Sequence, residues 1–376
     1  MSFRFLSPTK GPGLRVASLG FLTLAVAIAV LQTGRPACAQ VAPATDDQIQ
    51  RAIQKAVGRL RGTLPSLHGG ESAVVAMALI KSGLPPETPE IKAAIDLILE
   101  RTPTEGYVPG AHYVYEAGVS LMVLANADPV KYKRQIETIA QFLISVQRTC
   151  GAWYYFSQGD GNAGDTSITQ YAVLGLWEAS RAGVPVPKKV WDKVAGWHIR
   201  TQQTDGAFTY HPLENITGAF GQPGSHTMTV AGTASLLVAR MHLYPDARDI
   251  EEVKTRRRRR GKKYGLLEPA VPAAENAARD TVQADIGYRP TTRLASIDKA
   301  VNSGRDWLAA RFTIQPKGNW DLYYLYGLER LMALANLKEL GGHDWYAEGA
   351  AQLCRVQDPG GAWHDGCGAE PATALG

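Results

Sequence analysis

Three segments of the chain repeat one pattern: a glutamine, three residues, a glycine, one residue, then a large aromatic. They are Gln147, Gly151 and Trp153; Gln202, Gly206 and Phe208; and Gln357, Gly361 and Trp363. In the first two, an aromatic also stands five residues before the glutamine, at Phe142 and Trp197. Recurrence of this kind means one supersecondary unit used several times along a chain.

Between these segments the sequence alternates two kinds of helix. One kind is amphipathic with a charged face, over residues 46–61, 88–101, 130–148, 188–203, 295–313 and 344–357. Ile136, Ile139, Ala140, Leu143 and Ile144 show the three- and four-residue steps of a single buried stripe. The other kind is apolar on most sides and rich in small residues, over 70–83, 112–126, 166–182, 225–241 and 320–338. Ala172, Gly175 and Ala179 let neighbouring helices approach closely. Gly and Pro punctuate the joins, as at Gly83, Pro85, Gly183, Pro185 and Gly341. The fold expected is therefore an all-α ring of helical hairpins, an α/α toroid, with charged helices outside and apolar helices lining a central hollow. The repeated segments fall where an outer helix ends. Their glutamine is expected to bond carbonyls at that end and amides near the next helix start. Their glycine takes a positive φ, and their aromatic plugs the joint.

Six outer helices are found but five inner ones. After Trp363 no helix of useful length is expected, so the sixth hairpin is read as incomplete and the last repeat as truncated. Residues 243–293 interrupt the array with a basic, Ala/Pro-rich insertion, read as a mobile surface loop.

Residues 1–39 stand apart. Arg4, Lys10 and Arg15 precede an apolar run over 16–31, short for a membrane span. Ala37, Cys38 and Ala39 then form a small-x-small site, so a signal peptide cleaved after Ala39 and an exported, periplasmic or extracytoplasmic protein are expected. The formal charge of +5 falls to +1 without this leader, and to −7 when residues 254–263 are also set aside. The basicity is thus a patch, with an anionic surface as its possible partner between Arg256 and Lys263. No nucleic acid is expected. Cys150, Cys354 and Cys367 remain after cleavage, an odd count that leaves one disulfide open.

The repeated Gln, Gly and aromatic positions on alternating helices resemble the terpenoid cyclase and protein prenyltransferase superfamily, whose members carry the prenyltransferase and squalene oxidase repeat and share the α/α toroid. The segments 164–176 and 320–330 look especially like an uncharacterised group of exported bacterial members. The resemblance implies a fold more than an activity. Squalene cyclisation in that superfamily uses an Asp-x-Asp-Asp acid cluster, which this sequence lacks; Asp160 and Asp165 are the nearest pair. Protein prenyltransfer uses a zinc held by Asp, Cys and His, and the inner helices carry no cysteine. No metal and no cofactor are expected.

Four residues at or near inner-helix starts remain as weak catalytic candidates: Asp165, Asp321, Glu116 and His226. Asp165 also reads as a helix N-cap. Glu71, His112, Thr169, Tyr323 and Tyr324 are candidates to line the cavity. The function supported first is a non-catalytic exported toroid binding an unknown apolar or polymeric ligand, or a partner, through its cavity or rim. An isoprenoid-converting enzyme with a non-standard catalytic set is the alternative. A carbohydrate-active α/α-barrel enzyme, working through opposed carboxylates, is a second.

Overall fold

The computed structural model describes residues 42–155, 164–212, 223–247, 285, 287–315 and 320–376. The expected leader, Asp160 and the basic run from Arg256 to Lys263 lie outside the described residues. Among the described residues there are twelve α-helices, and the sole β feature is an isolated bridge between Leu340 and His343. No described helix is long and apolar enough to cross a membrane.

The outer helices are α1 (Asp46–Thr63), α3 (Pro89–Glu100), α5 (Lys133–Ser145), α7 (Lys188–Thr201), α9 (Leu294–Ala310) and α11 (Trp345–Val356). The inner helices are α2 (Gly69–Lys81), α4 (Tyr113–Ala127), α6 (Thr166–Arg181), α8 (His226–Leu243), α10 (Asp321–Leu334) and α12 (Ala369–Leu375). Local chemistry explains the starts. Thr45 and Gln48 form a reciprocal capping box ahead of α1. Asp165, Ser225 and Asp344 accept the orphan amides of Ile168, Met228 and Ala347 at the heads of α6, α8 and α11. On α5, Ile136, Ile139, Ala140 and Leu143 are fully buried, a stripe that contributes on the order of 5–9 kcal/mol from its three large side chains before entropy is charged against it. On α4, every residue from Glu116 to Leu124 is buried, as its small-residue composition requires.

The inner helices form a complete circuit: α2 packs on α4, α4 on α6, α6 on α8, α8 on α10, α10 on α12, and α12 on α2. The tightest approach is between α4 and α6. A Cβ added at Gly175 would lie 2.7 Å from the Gly118 Cα, so only hydrogen fits between the two backbones. The sixth inner position is therefore occupied, which corrects the expectation that no helix follows Trp363. It is filled by a two-turn helix of 7 residues, against 13 in α2 and 14 in α10. Pro371 near its start and Thr373, whose hydroxyl back-bonds to Ala369, make it a weak helix by composition. Its packing against α2 and α10 supplies what propensity lacks.

The repeated segments make the same joint three times. The Gln147 amide donates to Gly151 O at 2.9 Å and to Val190 O at 3.1 Å on α7. Gln202 donates to Gly206 O at 2.9 Å and Ala300 O at 2.9 Å on α9. Gln357 donates to Gly361 O at 3.1 Å and Ala52 O at 2.8 Å on α1. The glutamine thus grips the next outer helix, not the next inner one as expected from sequence. A helical carbonyl already bonded within its own helix keeps a second lone pair, and that is what the amide takes. Each glycine meets the carbonyl three residues beyond the one its glutamine holds: Lys193, Ser303 and Lys55. At Gly151, with φ +105°, a Cβ would overlap the Lys193 oxygen. The aromatic follows suit. The Trp153 indole donates to Leu143 O at 2.8 Å and that of Trp363 to Leu353 O at 2.9 Å, each ten residues back on its own outer helix.

The described chain runs to Ala247 after α8 and resumes at Asp285, so residues on both sides of the expected 243–293 insertion are described. Asp192 of α7 holds that returning segment. Its carboxylate accepts from Tyr288 OH at 2.7 Å, Thr291 N at 2.7 Å, Thr291 Oγ1 at 2.8 Å and Thr292 N at 2.9 Å. These bonds hold the carboxyl below the usual carboxylate range, against its burial.

Candidate functional site

The inner helices are parallel, so their N-terminal ends gather at one end of the ring and their C-terminal ends at the other. Tyr115 of α4, Ser167 of α6 and Tyr323 of α10 meet at the N-terminal end. Tyr115 OH donates to Ser167 Oγ at 3.0 Å, Ser167 Oγ lies 2.8 Å from Tyr323 OH, and Tyr323 OH donates to Gln170 Oε1 at 2.9 Å. The Tyr171 ring stacks on Tyr323 at 6.2 Å and meets Tyr115 edge-on at 5.0 Å. Burial raises all three phenols far above their ordinary pKa, so they act as neutral hydrogen-bonding groups. These groups form a connected polar plug, part-buried, at this end of the ring.

Asp165 lies beside the plug and is wholly buried. One carboxyl oxygen caps α6 through Ile168 N at 2.8 Å. The other has no hydrogen-bond partner and faces His211 Nδ1 at 3.5 Å. Burial pushes the carboxyl up to about 6, against the pull of the Ile168 and Ser167 amides, and burial pushes the His211 imidazole down. A carboxyl that titrates near neutrality is a group able to hold and release a proton. His211 was missed in the sequence; it sits three residues past Phe208 with nothing in its neighbours to mark it.

The other three catalytic candidates stand apart from Asp165 and from one another. Glu116 takes Arg101 Nη1 at 3.3 Å and packs against Gly69, Gly70 and Gly110. It does not pair with His112, which stands exposed at the head of α4. His226 Nε2 lies 2.8 Å from Arg311 O, with its ring edge-on to Trp307 at 5.1 Å and Tyr324 at 5.5 Å. Asp321 opens α10, but the amides of Leu322 and Tyr323 are taken by Asp365 Oδ2 at 2.8 and 3.4 Å. Burial, then the Asp365 charge, raises the Asp321 carboxyl. The four are separate caps and ties.

A cavity with apolar walls is at the other end. It has a volume of about 550 Å³ and lies under the short α12, whose Ala374, Leu375 and Gly376 form its roof. Val57 and Leu60 of α1, Val74 and Met77 of α2, Met122 of α4 and Leu353 of α11 supply apolar walls. Lys81, Tyr326, Glu329 and Arg330 supply a charged corner. None of Glu71, His112, Thr169, Tyr323 or Tyr324 lines it. The five lie at a different level: all belong to the first turns of their helices or just before them. Thr169 is fully buried and takes the Trp153 amide at 3.0 Å; Thr229 does the same for Phe208 at 3.1 Å and Thr373 for Trp363 at 3.0 Å. These threonines are a fourth element of the repeated joint. The cavity cations were missed too, although Arg330 was visible as a charge on a helix read as apolar nearly all round.

Among the described residues no three His, Cys, Asp or Glu side chains come together as a metal site. Among the described residues, Cys150, Cys354 and Cys367 form no disulfide.

The sequence matches no family model and no curated protein. Among solved structures, it is similar in fold to a variant of the type II terpene cyclase MstE from Scytonema, in complex with its substrate geranylgeranyl dihydroxybenzoate. That likeness has 14% sequence identity and a TM-score of 0.45, over 84% of this chain and 81% of that one. A similarity of this size decides no activity.

Proposed function

We propose that this chain is a non-catalytic ligand-binding toroid that holds an apolar molecule of lipid-like size. The observation that carries the reading is the cavity of about 550 Å³, walled by Val, Leu and Met from α1, α2, α4 and α11. Pockets of roughly 300–1,000 Å³ with apolar walls and a few polar groups are the usual form of small-molecule sites. The leader read in residues 1–39 supports a role after export.

Catalysis on that ligand is the weaker reading. Its best support is Asp165, poised at about 6. An acid must touch the group it protonates, and Asp165 does not line the cavity. The tyrosine plug also belongs to its end of the ring.

Mass spectrometry of an organic extract of the purified protein tests the proposal without a guess at the ligand. One apolar molecule per chain is the expected result. A protein that carries nothing and fails to enhance the fluorescence of an apolar probe would overturn it. Turnover of squalene or prenyl diphosphates that is abolished by Asp165→Ala would replace it with the enzymatic reading.

A further inference from the structure

We infer that the outer face of the ring carries a second binding site, a groove between α7 and the segment entering α9, and that its ligand is a polyanion bearing successive phosphate groups. The site is separate from the apolar cavity, and neither reading depends on the other.

The groove has a volume of about 670 Å³. Lys189, Lys193 and Arg200 of α7 line it, together with Arg293 and Ser296 at the head of α9. With Gly196, the three α7 cations stand at steps of four, three and four residues. They therefore share one face of the helix and extend along about 16 Å of it.

The acids that could neutralise these cations are absent or spent. Among the described residues that line the groove, the one carboxylate is Asp192. It is buried, and its oxygens are taken by Tyr288, Thr291 and Thr292. Among the described residues, Lys189, Lys193 and Arg293 have no carboxylate partner. Arg200 is held in place: its Nη2 donates to Cys150 O at 2.8 Å, and a Cβ at Gly196 would lie 3.2 Å from its Nη1. The α9 helix begins here with neither a capping side chain nor an acid in its first turn, so its positive end adds to the cations.

Cations gathered in a cleft without an available acid focus a positive field and concentrate counter-ions. The body around them has the opposite sign, −7 once residues 1–39 and 254–263 are set aside. Spacing then chooses among anions. A lone phosphate or carboxylate reaches one or two of these cations, whereas a chain of phosphates laid along α7 meets Lys189, Lys193 and Arg200 in turn. Guanidinium donors fit phosphate oxygens in pairs, and Thr149 and Ser296 add hydroxyls. A groove walled by α7 and by Tyr288 to Arg293 admits a linear chain more readily than a flat lipid surface.

The test titrates the full chain calorimetrically with tripolyphosphate and orthophosphate, and by co-sedimentation with phosphatidylglycerol vesicles. Residues 254–263 are basic too, so each measurement is repeated in a chain carrying Arg256→Gln, Arg257→Gln, Arg258→Gln, Arg259→Gln and Arg260→Gln. Tripolyphosphate is expected to bind at least tenfold more tightly than orthophosphate. Lys189→Gln combined with Lys193→Gln is expected to weaken it tenfold or more in both backgrounds. The slope of log affinity against log salt should fall by about one for each lysine removed. Lys299→Gln, an exposed α9 position outside the groove lining, is expected to stay within twofold. Circular dichroism checks each variant, and if the paired change does not fold, Arg293→Gln at its exposed position decides. Binding that survives these changes, or that is lost with the Arg256 to Arg260 substitutions alone, would overturn the assignment. Equal affinity for the two phosphates, no binding of either, or binding to vesicles alone would do the same. Apolar-probe fluorescence should be unchanged in all of these variants, so failure of this site stays distinct from failure of the cavity reading.

Discussion

The two ends of the inner ring are built from the same helices and behave oppositely. At the N-terminal end, Tyr115, Ser167, Gln170 and Tyr323 bond one another in a part-buried network. At the C-terminal end, a cavity of about 550 Å³ lies between α1, α2, α10 and α11, and the Arg330 Nε has no hydrogen-bond partner. Two tyrosines one turn apart on α10 mark the contrast: Tyr323 belongs to the plug and Tyr326 to the cavity. Stability is concentrated where polar groups are paired, and capacity for a ligand where one is not.

The largest test of this contrast is to truncate both tyrosines. Tyr323→Ala should cost about 3–5 kcal/mol, because it opens a void and leaves Gln170 Oε1 without its donor. Tyr326→Ala should cost clearly less, because its ring already borders empty space. Urea unfolding of the two variants measures the difference, and equal losses would erase the distinction between the ends.

Asp165→Asn comes next. The buried Asp165 carboxyl has its folded pKa raised from 3.8 to about 6. The native state therefore binds the extra proton between those values. The contribution of Asp165 to stability is greatest below the lower one and is lost as pH rises through about 6, by on the order of 3 kcal/mol. Asparagine keeps an acceptor for the Ile168 amide and cannot ionise. The variant should match the wild type near pH 3.5 and exceed it at pH 7. The comparison must be a difference between variant and parent. His198 has its folded pKa pushed down to about 3 by burial, so the stability of both proteins falls as pH drops below 6.5.

Ligand binding should then raise stability by about 2.7 kcal/mol at a hundredfold excess over Kd, read as a rise in Tm. Tyr323→Phe should keep that rise, since it leaves the cavity untouched. The smallest effect separates two identical joints. Gln202→Ala and Gln357→Ala should each cost about 1 kcal/mol. Only Gln357→Ala should also weaken ligand binding, because its joint seats α11 on α1, both of which wall the cavity.

The ring was legible in the sequence because its signals are local. The stripe on α5, the small residues of α4 and α6, and the glycine joints all announce themselves within one or two turns, and the helix limits fall within a few residues of those read. What stayed hidden depends on residues far apart in the chain. Gln147 and Val190, and Asp165 and His211, are brought together by packing of successive units, and Lys81 and Arg330 by closure of the ring. The two-turn α12 was missed because Gly366, Gly368 and Pro371 argue against a helix locally, and packing overrides them. The cavity was sought at the helix starts, where polar residues collect. It lies at the other end, where a charge stands on an otherwise apolar helix.

The joint made by Gln357 and Gly361 has a consequence for how this molecule comes apart. Tandem arrays normally loosen from their outermost units, which have a neighbour on one side only and need a dedicated polar cap. Here the final loop clasps the opening helix through Ala52 and Lys55, and Arg59 meets Glu370 at 2.8 Å across the same seam. Every unit has two neighbours, so peeling has no preferred place to begin, and unravelling has to start by rupturing a seam.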